Sequence, residues 1–96
     1  MTEIRNLEEI RSDIDELDQQ LLTLFCKRME LAADVAAYKR ANGLPTLRPE
    51  REQEILRWAE TSAAPGYGAY ARRLFEGIME ISRDYQDSLR NQEASE

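Results

Sequence analysis

Ninety-six residues, 42% hydrophobic and 33% charged, suffice for one small domain with a thin core. Nineteen acidic against thirteen basic residues give a net charge of −6, the reverse of the balance expected of a nucleic-acid binder. The lack of histidine removes the usual zinc sites and histidine acid–base chemistry, and a single cysteine, Cys26, excludes an internal disulfide framework.

The first predicted element is one long helix over residues 4–41. No Pro or Gly interrupts it, and Ile4, Leu7, Ile14, Leu17, Leu21, Leu24, Leu31 and Val35 recur three, four or seven residues apart. Thr2 or Asn6 is suited to cap its start, and Asn42-Gly43-Leu44-Pro45 to stop it. At 1.5 Å per residue it would be roughly 57 Å long. A second helix is expected over 49–60, opening at Pro49, a favoured first-turn residue, and broken by Ala63-Ala64-Pro65-Gly66. A third covers 67–90, with Leu74, Phe75, Ile78, Ile81, Ser82, Tyr85 and Leu89 on one stripe, and a polar, frayed tail follows over 91–96. Trp58 and Phe75 read as core, and Cys26 as a small neighbour of it. No apolar run reaches the roughly 18–20 residues that span a bilayer, and the start lacks a signal peptide's apolar stretch, so the expected setting is cytoplasmic with no membrane partner.

These elements predict an all-α chain, 1–96, acting as a single domain. Three helices, one of them very long, give each apolar stripe few neighbours within one chain. An intertwined helical homodimer, in which two long helices pack together and share a core, satisfies them.

Written as heptads, the first helix has seam positions 4, 7, 11, 14, 18, 21, 25, 28, 32, 35 and 39, of which Arg11, Asp18, Arg28 and Lys39 are charged. A cation buried there without a partner would cost several kcal/mol. Two readings follow. The long stems snorkel to water or pair with carboxylates, Asp18 among them; alternatively, the cations line a cavity for an anionic ligand. The other helices favour the cavity. Arg51 and Glu52 stand in the first turns of the second helix, and Ser82 and Gln86 are four apart on the third, so polar groups converge within an apolar bundle. Arg28 and Lys39 lie about three turns, or roughly 16 Å, apart and face nearly the same way. Arg11 is about 26 Å of helix rise from Arg28. If two long helices pair antiparallel about a two-fold axis near Leu21 or Leu22, the partner subunit's Arg11 falls between Arg28 and Lys39.

In this order and with these gaps, Arg11-x5-Leu17-Asp18-x2-Leu21-Leu22, Arg28-x2-Leu31, Val35, Lys39, Arg51-Glu52 and Leu74-Phe75…Ile78…Ser82-x3-Gln86 resemble the all-helical bacterial chorismate mutases over about residues 4–90. The resemblance implies an intertwined homodimer that converts chorismate to prephenate on the branch toward phenylalanine and tyrosine. That reaction is an intramolecular Claisen rearrangement and needs no nucleophile, metal or cofactor. Its substrate is a dianion whose ether oxygen gains negative charge as the C–O bond breaks, so a cationic pocket can both hold the reactive conformer and stabilise that charge. By the same resemblance Arg28 and the partner subunit's Arg11 bind carboxylates with help from Ser82. Lys39 and Gln86 donate to the ether oxygen, Arg51 adds positive field, and Glu52 accepts from the substrate hydroxyl.

One position departs from the family. Its members commonly read Asp-Pro-x-Arg-Glu where this chain has Arg48-Pro49-Glu50-Arg51-Glu52. Arg48 either turns to solvent or belongs to a substrate-binding set for a related dianion. Isochorismate, cleaved to salicylate and pyruvate, is one such dianion; an aminated chorismate is another, although Arg48 disfavours its cationic amine. The reading from a different class is a non-enzymatic dimerisation module, with Arg11, Arg28 and Lys39 paired inside the protein.

Overall fold

The computed structural model describes residues 4–94, with side chains through residue 92. Thr2, one of the two expected caps, and residues 95–96 of the expected tail lie outside the described residues. All regular structure among the described residues is helical: α1 (Leu7–Ala41), α2 (Pro49–Ser62) and α3 (Gly68–Ala94).

Local chemistry sets each boundary. The hydrophobic pattern suggests a start at Ile4, yet α1 begins at Leu7, because Asn6 Oδ1 accepts from the Glu8 N–H at 2.7 Å and fixes the first turn. Glu8 and Glu9 in that turn, and Lys39 and Arg40 in the last, complement the helix dipole. At the other end Gly43 takes φ 67°, and the Leu44 N–H donates to the Lys39 carbonyl at 2.7 Å while the Gly43 N–H reaches the Arg40 carbonyl at 3.3 Å. This paired closure satisfies the last carbonyls and requires the left-handed conformation that glycine adopts without strain. Pro49 opens α2, which continues two residues beyond the expected end at Glu60. α3 continues past Arg90, so residues 91–94 are helical and not the frayed tail the polarity suggests; Gln92 and Ala94 are good helix formers and need no apolar partner to extend it.

Two compact units, residues 1–30 and 31–96, divide the chain within α1. The first consists of the front of α1 and carries exposed Leu7, Ile14, Leu17, Leu21, Leu22 and Leu24. In the second, α2 packs on α3, and Ala32, Ala36, Leu56, Ala59 and Met79 are buried. The Trp58 and Phe75 rings meet edge to face, with centroids 5.5 Å apart. Trp58 is nonetheless exposed, against the expectation that it is core, because one layer of helices leaves the other side of so large a ring uncovered. Cys26 is exposed as well. Where α3 starts, a Cβ on Gly68 would lie 2.6 Å from the Glu60 carbonyl oxygen, so only glycine lets the chain pass that close to the end of α2.

Candidate functional site

Polar side chains gather within residues 31–96. Lys39, in the last turn of α1, donates from Nζ to the Thr46 carbonyl at 2.7 Å and to Gln86 Oε1 at 3.3 Å. Gln86 in turn donates from Nε2 to Ser82 Oγ at 3.0 Å, and both α3 residues are buried. Their i, i+4 spacing stacks them on one helix face, as their positions in the sequence suggest. An ammonium has three N–H bonds and a primary amide two. Among the described residues two of the first and one of the second are used, leaving one donor on each for a further acceptor.

Burial is the main cause that draws the Lys39 ammonium below its usual value of 10.5. Arg48 and Arg90 add repulsion, and Glu52 opposes them. Lys39 therefore stands in a cationic and partly dehydrated setting, where a donor acts more strongly on developing negative charge than it would in water.

Glu52, on α2, is four-fifths buried at its side chain, and its Oε1 accepts from the Arg83 guanidinium on α3. That hydrogen bond is the largest cause raising the Arg83 value above the usual one. Arg90 reaches from α3 to the Leu44 carbonyl at 2.9 Å. Lys39 and Arg90 thus fasten two carbonyls of the α1–α2 connection from two different helices.

The structure accordingly brings together Lys39, Glu52, Ser82 and Gln86, with exposed Arg48 close enough to act on Lys39. Arg51 is not among them. Its side chain is 70% exposed and pairs with Glu54 at 3.4 Å, since neighbouring helical residues point about 100° apart. Arg11, exposed, and Arg28, half-buried, belong to residues 1–30. A shallow depression in that unit, lined by Glu16, Gln19, Gln20, Thr23 and Leu24, carries none of these groups. Sequence reasoning missed Arg83 and Arg90. Arg90 was accessible, being four residues beyond Gln86 on the same face; nothing in the sequence pairs Arg83 with a glutamate 31 positions earlier. Among the described residues no cluster of three His, Cys, Asp or Glu is placed to hold a metal ion, and no helix is long and apolar enough to cross a membrane.

Comparison with known proteins bears on this arrangement. Residues 10–87 match the family described as chorismate mutase type II. Over 52 residues the chain is 48% identical to a chorismate mutase of Methanocaldococcus jannaschii, covering 54% of this chain and 52% of that protein. It is 45% identical over 56 residues to the T-protein of Haemophilus influenzae, covering 58% of this chain and 15% of that protein. A 4-amino-4-deoxychorismate mutase of Streptomyces venezuelae is 37% identical over 51 residues, 53% of this chain and 50% of that protein. The matches thus span about half the length of these curated relatives, or less. Among solved structures, a conserved hypothetical protein from Pyrococcus furiosus superposes with a TM-score of 0.72 at 33% identity, over 88% of this chain and 99% of that one.

Proposed function

From the premise that the chain belongs to the chorismate mutase type II family, matched over residues 10–87, we propose that it is an enzyme converting chorismate to prephenate in aromatic amino-acid biosynthesis, as a homodimer with two shared sites. The observation that carries this reading is the Lys39–Gln86–Ser82 network, in which two groups from different helices each keep a donor for one more oxygen.

The rearrangement shifts one bond from oxygen to carbon within a single molecule and takes up no proton, electron or transferred group. What a protein can add is the folded chair-like conformer and a field that favours charge on the ether oxygen. Lys39 and Gln86 supply the donors for that oxygen. Arg28 and the partner subunit's Arg11 take the carboxylates, with the Ser82 hydroxyl assisting. Glu52 accepts from the ring hydroxyl through the oxygen that Arg83 leaves open. Arg51, turned outward, contributes field and no contact.

The apolar surface supports a second copy. Leu21, Leu22, Leu24 and Leu31 are each about 60% exposed within one chain. Burying a leucine fully stabilises by about 1.5–3 kcal/mol, so a mate for this stripe is strongly favoured.

Arg48, the N-cap of α2, and Glu52, in its first turn, both act electrostatically on Lys39. A cationic amine bound at Glu52 would meet Arg48, whereas a hydroxyl would not. This favours chorismate over the aminated substrate named for the Streptomyces relative.

Incubation of the protein with chorismate, followed by absorbance and by product identification, tests the reading. Prephenate alone is the expected product. In parallel incubations, salicylate with pyruvate from isochorismate while chorismate stays intact would place the chain among isochorismate-type lyases, and no turnover of chorismate, isochorismate or an aminated chorismate above the buffer rate would leave only the dimerisation module.

A further inference from the structure

Arg83 follows Ser82 on α3, yet its guanidinium turns to α2, where it donates to Glu52 Oε1. Glu52 has a second cation within electrostatic reach, the Lys39 ammonium of α1. A carboxylate between two such cations settles on the one with the better-matched donors, and a planar guanidinium fits it better than an ammonium does. Lys39 keeps its own two acceptors, the Thr46 carbonyl and Gln86 Oε1.

We propose that Arg83 is a positioning residue: by holding Glu52 at the α2–α3 junction it keeps this carboxylate from pairing with Lys39, and so reserves the Lys39 ammonium for the anionic substrate. The inference rests on the mutase reading for its consequence and on the Arg83–Glu52 and Lys39–Gln86 bonds for its geometry. Without Arg83, Glu52 takes up the remaining N–H of Lys39. The ether oxygen then shares its strongest donor with Glu52, and the substrate hydroxyl shares its acceptor. The charged groups around this switch are few. Glu52 meets Arg83 from α3 and Lys39 from α1; Lys39 meets Arg48 from the start of α2 and Arg90 from α3; Arg83 has Glu80 and Asp84 on its own helix.

The chain has two lysines, Lys27 and Lys39, so titration of the Lys39 side chain can be followed directly by NMR. In Arg83→Met the Lys39 value should rise by about one pH unit, as expected when a carboxylate closes on an ammonium. Turnover should fall roughly tenfold, with KM changed less than about threefold. Arg83→Lys should recover only part of that turnover, since its ammonium matches the carboxylate less well. In a Glu52→Gln background, Arg83→Met should move neither quantity much, because the competing charge is gone. Arg83→Gln serves as the second variant if the methionine form folds poorly. An unchanged Lys39 titration in Arg83→Met, or an equal rise with Glu52→Gln already present, overturns the proposal. Should the unaltered protein fail to convert chorismate, the mutase reading falls, while the Lys39 titration still decides whether Arg83 holds Glu52 away.

Discussion

Lys39→Ala is expected to slow chorismate turnover by about 10²–10³, the usual cost of losing one donor to a developing oxyanion, or about 2.7–4 kcal/mol of barrier. Alanine is the best helix former and Lys39 lies in the last turn of α1, so the helical circular dichroism should be unchanged. The loss should appear in kcat more than in KM, since the ether oxygen carries its extra charge only as the bond breaks. The lowered Lys39 value adds a pH dependence. Turnover should decline as pH rises toward that value, below the 10.5 of an ordinary lysine. Stability at this group moves the other way. The folded chain releases the Lys39 proton more readily than the unfolded chain does, so between the two values the unfolded state binds more protons and stability rises with pH. Alkaline inactivation with the native circular dichroism retained is therefore the expected result, and inactivation that tracks unfolding would count against Lys39 as the donor.

Leu21→Glu is expected to halve the particle mass, from twice 11.1 kDa to 11.1 kDa by light scattering, and to remove turnover with it. Leu21 is 59% exposed within one chain, near the expected two-fold axis. A two-fold interface places the substitution in the seam twice. Each copy forfeits about 1–2 kcal/mol of apolar burial and adds a carboxylate to an apolar contact, at a further cost of several kcal/mol. With the proposed shared site, turnover is expected to follow association, because the partner subunit's Arg11 would leave with the partner. A variant that remains dimeric at micromolar concentration, or a monomer with full turnover, would contradict the shared-site account.

The fold was largely legible in the sequence because its boundaries are local events. Gly43 and Pro49 stop one helix and open the next through their own backbone restrictions, and no distant contact has to be known. The boundaries that shifted are those where the hydrophobic pattern was the only guide. Ile4 extends the apolar period but lies before the Asn6 cap, and residues 91–94 lack the period yet remain helical. The site divides in the same way. Ser82 and Gln86 are joined by spacing on one helix, and their hydrogen bond follows from it. Arg51 and Glu52 are adjacent, so one had to face away; which one depended on the position of α3, and no pattern in α2 encodes that. The Thr46 and Leu44 carbonyls that hold Lys39 and Arg90 are backbone atoms with no signature in residue type.

Subunit mixing tests the shared site most directly. Arg11→Ala and Lys39→Ala chains should each be nearly inactive alone, because each spoils both sites of its own dimer. When the two are unfolded and refolded together in equal amounts, half the dimers are mixed, and each mixed dimer has one site with neither substitution. About a quarter of the native turnover should then return. If the mixture remains as inactive as its components while light scattering shows mixed dimers, Arg11 and Lys39 do not serve one site from two chains.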